Sequence, residues 1–140
     1  MNYSIANVTE VADCNVLLSW ASKEKADLEF KKLSDERLTA RYTATSAELD
    51  AELQGVVAEI SATETIISML PDGNSKEDAI NKKTRLEYKK FLIETRKESN
   101  GVVALIEKEV DLARVQNELS EVNGFITILE ARKAELIAQA

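Results

Sequence analysis

Apolar positions along this chain step by three and four over long distances. Val11, Cys14, Leu18 and Ala21 open the first series, and Leu38, Tyr42, Leu49, Leu53, Val56, Ile60, Thr63, Ile67 and Leu70 extend it. A second series begins at Ile80, Thr84, Glu87 and Phe91. It becomes faultless through Leu105, Lys108, Leu112, Val115, Leu119, Val122, Ile126, Leu129, Lys133, Leu136 and Ala140. Steps of three and four place residues on one face of an α-helix, and a face sustained over several heptads marks a helix packed lengthwise on another. The middle of the first series, from Lys23 to Arg41, is poorer, with Leu28, Phe30, Leu33 and Leu38 as its large apolar groups. Its core is expected to be narrower there.

One stretch separates the two series. Leu70-Pro71-Asp72-Gly73-Asn74-Ser75 holds the only proline of the chain beside a glycine, and it reads as a turn. The pattern therefore predicts one all-α domain over residues 1–140: a helix over about 8–70, a turn at 71–75 and a helix over about 76–139. Asn7 or Thr9 is the expected N-cap of the first helix, and Ser75 that of the second, with Glu77 and Asp78 in its first turn. Asn100-Gly101 is the other candidate breakpoint, and Gly124 reads as a close-contact position.

Folding the chain at this turn lays Ile67 near Ile80, Val56 near Phe91, Tyr42 near Leu105, Leu28 near Leu119 and Leu18 near Leu129. Charge selects the same pairing. Residues 48–78 carry one basic and eight acidic groups, and residues 82–97 carry seven basic and two acidic. The turn sets these blocks side by side. The fold predicted is a long antiparallel helical hairpin of coiled-coil type.

A two-helix coil needs only a narrow apolar seam, and this chain has more. Val56-Val57, Ile66-Ile67, Phe91-Leu92-Ile93, Val102-Val103, Leu105-Ile106, Phe125-Ile126, Ile128-Leu129 and Leu136-Ile137 put apolar neighbours about 100° apart and widen the stripe. The surplus calls for cover. A homodimer forming a four-helix bundle supplies it. The alternative is a monomeric up-down four-helix bundle, with the arms broken near Thr43–Ser46 and Asn100-Gly101.

Composition narrows the chemistry. Among 140 residues there are four glycines and no histidine, and the net charge is −7. The first property suits helices. The second removes Ser-His-Asp and Cys-His catalysis and histidine metal sites. The third disfavours nucleic acid, and the basic run Lys82-Lys83, Arg85, Lys89-Lys90, Arg96-Lys97 has an acidic strip to face instead. Cys14 is the only cysteine, so no intrachain disulfide is expected, and on the seam it reads as a small hydrophobe. No phosphate loop or calcium loop is present. No secretory leader or run of ~18 apolar residues is found, so a cytoplasmic protein with no membrane contact is expected, with no cofactor and no metal.

In outline, two long helices with both termini at one end resemble a prefoldin-type subunit. That family places β-hairpins between its helices, and Pro71–Ser75 leaves no room for one, so no family is assigned. The functional expectation is a non-enzymatic structural or assembly protein, a self-associating coiled-coil scaffold or spacer. The alternative is a chaperone-like or adaptor module that binds protein partners through exposed apolar faces. Trp20, the only tryptophan, lies beside Leu17 and opposite Gly124 and Phe125 in this register. Leu17, Trp20, Phe125, Ile128, Val103 and Ile106 are the candidate protein-interaction residues.

Overall fold

A computed structural model describes all residues from Met1 to Ala140. The chain is all-helical, with no strand. A short 3-10 turn at Ile5–Asn7 precedes three α-helices: α1 (Val11–Met69), α2 (Asn74–Asn100) and α3 (Val102–Gln139). Helix α1 runs 59 residues without interruption, so the alternative break near Thr43–Ser46 is not present. Thr43 returns its hydroxyl to the Thr39 carbonyl at 2.9 Å, which satisfies it without opening the helix.

The caps differ from expectation. The Glu10 carbonyl accepts the first helical bond of α1, from the Cys14 N–H at 3.3 Å. Asn7 lies instead in the 3-10 turn, with its N–H on the Ser4 carbonyl at 3.0 Å. At the second boundary Gly73, not Ser75, takes the cap position, and its carbonyl accepts the Glu77 N–H at 3.1 Å. Its φ of 152° explains the residue type, since a side chain is strained there. A glycine offers no side-chain cap. Glu77 in the first turn complements the helix dipole.

The expected single second arm is two helices. Between them Gly101 is extended, with φ −89° and ψ −158°, while its N–H still donates to the Lys97 carbonyl at 2.9 Å. A Cβ on Gly101 would fall 2.3 Å from that carbonyl oxygen. Only glycine allows this approach. The dipeptide flagged as an alternative breakpoint is therefore where the helix stops. Gly124 is different: a Cβ there would meet nothing within 4 Å, so it is not the close-contact position its place in the seam suggested.

Contacts sort the chain into two compact units, Leu38–Glu109 and a second made of Met1–Arg37 with Val110–Ala140. In the Leu38–Glu109 unit, Leu49, Val56 and Ile93 form the core, with Leu53 and Ile60 packed against them. Burying each such side chain contributes about 1.5–3 kcal/mol. Two ion pairs cross from α1 to α2: Glu64 with Lys83 at 3.2 Å and Asp50 with Lys97 at 2.7 Å. Equal steps in opposite chain directions connect the two pairs.

The buried side of α2 is not the one read from sequence. Leu86 and Ile93 are its buried residues, and Ala79, Lys83, Lys90 and Lys97 are half-buried beside them. Ile80, Thr84, Glu87 and Phe91, the expected seam, are exposed. Each is displaced by one or two residues from a buried or half-buried position, and Lys83, Lys90 and Lys97 occupy the inward stripe at heptad spacing. Their aliphatic stems cover apolar surface while the ammonium reaches outward. In the other unit Cys14, Ala21, Val115 and Leu129 are fully enclosed, on the stripes the spacing predicted.

Candidate interaction surfaces

The terminal unit carries an aromatic cluster. Trp20 of α1 meets Phe125 of α3 edge-on, with ring centroids 6.2 Å apart and planes at 79°. Tyr3, from the lead-in segment, also packs on Phe125, tilted, at 4.9 Å and 57°. Both arrangements satisfy the ring quadrupoles better than a face-to-face sandwich. The Tyr3 hydroxyl donates to the Glu121 carboxylate. That hydrogen bond to a carboxylate pushes the Tyr3 phenol above its ordinary value of 10.0, with desolvation and the Glu121 charge acting in the same direction.

The lead-in is held in place by Arg132. Its Nε donates to the Val8 carbonyl at 3.0 Å and its Nη2 to the Ala6 carbonyl at 3.5 Å, while Nη1 pairs with Glu135 at 3.1 Å. These bonds fix residues 6–8 against α3 and bring Tyr3 over Phe125. The result is a cleft of about 240 Å³ lined by Tyr3, Trp20, Glu121, Val122 and Phe125. A smaller hollow of about 160 Å³ is lined by Tyr3, Ser4, Ile5, Val8, Leu17 and Phe125.

Of the six residues singled out by sequence, Leu17, Trp20 and Phe125 are gathered here. Trp20 is 52% exposed, and its neighbour is the Phe125 ring rather than Gly124. Ile128 is exposed on α3 in the same unit, without a place in either hollow. Val103 and Ile106 belong to the Leu38–Glu109 unit, where both are exposed near the start of α3. Tyr3, Glu121 and Arg132 were not anticipated. A backbone-binding arginine and a single tyrosine in a non-periodic segment leave no periodic signal.

The Leu38–Glu109 unit presents a second surface on α2. Ile80 is 45%, Tyr88 64% and Phe91 61% exposed, on the side of the helix away from Leu86 and Ile93. Thr84 and Thr95 lie in the same row. Their hydroxyls donate to the carbonyls of Ile80 at 3.1 Å and Phe91 at 2.9 Å, so the polar atoms are turned into the helix and the methyl groups extend the apolar face.

No three His, Cys, Asp or Glu side chains converge closely enough to hold a metal ion. No helix is long and apolar enough to cross a membrane. Compared with family models, curated proteins and solved structures, the chain shows no significant match.

Proposed function

We propose that this chain is a non-enzymatic structural or assembly protein that associates with itself as a coiled-coil scaffold or spacer. One observation carries the reading. Eighteen large apolar side chains remain exposed, Ile80, Tyr88 and Phe91 among them in one row along α2, so a substantial apolar surface of the protomer still lacks cover. Isolated exposed apolar residues are ordinary, but rows along a helix are the mark of an interface. The Glu64–Lys83 and Asp50–Lys97 pairs support an antiparallel helical hairpin as the repeating element. Two hairpins joined through their exposed rows make a four-helix bundle.

Light scattering on the purified chain tests the reading. It expects a molar mass that is a multiple of the 15.5 kDa protomer, and a monomer at every accessible concentration contradicts it.

The aromatic cleft favours a second reading, an adaptor that receives an apolar side chain of a protein partner in the hollow lined by Tyr3, Trp20 and Phe125. Aromatic residues at the edge of a hollow are typical binding anchors. In that case the purified chain stays monomeric and binds a hydrophobic dye, with Trp20 fluorescence reporting occupancy.

A further inference from the structure

Helix α2 has two working stripes. At about 100° per residue, Ala79, Lys83, Leu86, Lys90, Ile93 and Lys97 fall on one side, and Ile80, Thr84, Tyr88, Phe91 and Thr95 on a stripe roughly 80° wide well round from it. The first covers the core of its unit, with Leu86 and Ile93 buried. The second is exposed throughout. Nothing in the protomer covers it.

The edges of that second stripe differ in sign. Glu87 and Glu94 line one edge, held by Lys83 at 3.8 Å and Lys90 at 3.9 Å on their own helix. Toward the other edge the exposed Leu92 comes first, with Arg85 and Arg96 beyond it. When two identical helices pair in parallel, opposite edges meet; when they pair antiparallel, each edge meets its own kind. Parallel pairing therefore turns the glutamate edge toward the side that carries Arg85 and Arg96, whereas antiparallel pairing sets like charges together. The surface is complementary to itself in one orientation only.

We infer that the Ile80–Thr84–Tyr88–Phe91–Thr95 face of α2 binds the same face of a second copy of this chain, with the two α2 helices parallel. This inference rests on the self-association proposed above and names its interface. Tyr88 and Phe91 are the central anchors, large and rigid aromatics already exposed in the protomer. The flanking threonines bring their methyl groups to the contact without leaving a hydroxyl unsatisfied. A two-fold axis along the helices closes the pair as an isologous dimer.

Cysteine cross-linking decides the orientation. In a Cys14→Ala background, Thr84→Cys and Thr95→Cys are made singly and then mixed. Parallel pairing gives a disulfide dimer in each single variant under mild oxidation, with no preference for the mixed species. Antiparallel pairing centred between Tyr88 and Phe91 joins position 84 to position 95, so a disulfide found only in the mixture overturns the orientation. Phe91→Asp, at an exposed site, is expected to keep the helical circular dichroism and to raise the dimer dissociation constant about thirtyfold or more. A Phe91→Asp protein that remains fully dimeric, with no cross-link at either position, overturns the face while leaving self-association standing. An unmodified chain that stays monomeric, or that meets only a different protein through this face, overturns both.

Discussion

Lys97 on α2 places its ammonium 2.7 Å from the Asp50 carboxylate on α1, joining the basic run of one helix to the acidic strip of the other. Lys83 and Glu64 repeat the contact at 3.2 Å. The carboxylates are more than half exposed while the lysines are about one-third exposed, so solvent screens both pairs. A double-mutant cycle with Lys97→Ala and Asp50→Ala is expected to give a coupling of about 0.2–1 kcal/mol, shrinking as salt is added. Coupling indistinguishable from zero at low salt would show that the pair does not help to hold α1 against α2.

The apolar core is worth more. Leu49 and Leu129 are fully enclosed, one in each unit. Leu49→Ala and Leu129→Ala should each cost about 2–5 kcal/mol in urea unfolding. Because association adds to apparent stability, the measurement is made at fixed protein concentration. Costs below about 1 kcal/mol at both sites contradict the packing described.

Gly101 makes the sharpest backbone prediction. Its missing Cβ is the space occupied by the Lys97 carbonyl oxygen, 2.3 Å from where that carbon would lie. Gly101→Ala forces the backbone to shift, and Gly101 and Ala104 are buried, so the shift is felt in packing. A loss of about 1–3 kcal/mol is expected. A gain in stability would mean that α2 and α3 join readily into one helix.

The arginine staple is testable through the lead-in. Arg132→Ala removes the donors to the Val8 and Ala6 carbonyls, loosening residues 6–8 from α3. Faster proteolysis of that segment and a red shift of Trp20 fluorescence are the expected results. Unchanged proteolysis would place the hold on the lead-in elsewhere, in the Tyr3–Phe125 contact.

Tyr3 gives a pH dependence with a definite sign. Its folded-state phenol lies above the ordinary 10.0 because it donates to Glu121. Its contribution is therefore fully present below pH 10 and is lost as pH rises through the raised folded value. Subtracting the tyrosinate titration of Tyr3→Phe from that of the unmodified chain isolates this group. A difference curve with its midpoint at or below the ordinary value contradicts the hydrogen bond.

Much of this architecture is legible in spacing alone. The all-helical fold, the stripe from Leu49 to Leu70 and the stripe from Leu105 to Leu136 follow from steps of three and four, because most of the inward residues there are apolar, with Thr63 the buried polar exception. Helix α2 is where the pattern misleads. Lys83, Lys90 and Lys97 read as polar but point inward along their stems, so counting hydrophobic residues selects Ile80 and Phe91, which face outward. The lead-in was opaque for another reason. Arg132 grips backbone carbonyls, and a carbonyl carries no information about which residue bears it. Register places Trp20 and Phe125 near each other, as they are, whereas Tyr3, which completes the cleft wall, comes from a segment with no periodic pattern.

Another copy of the chain is expected to cover the exposed rows. Sedimentation equilibrium over a wide concentration range measures that directly. The expected result is a mass that rises with concentration to twice the 15.5 kDa of the protomer. A mass that stays at one protomer across the range would contradict it.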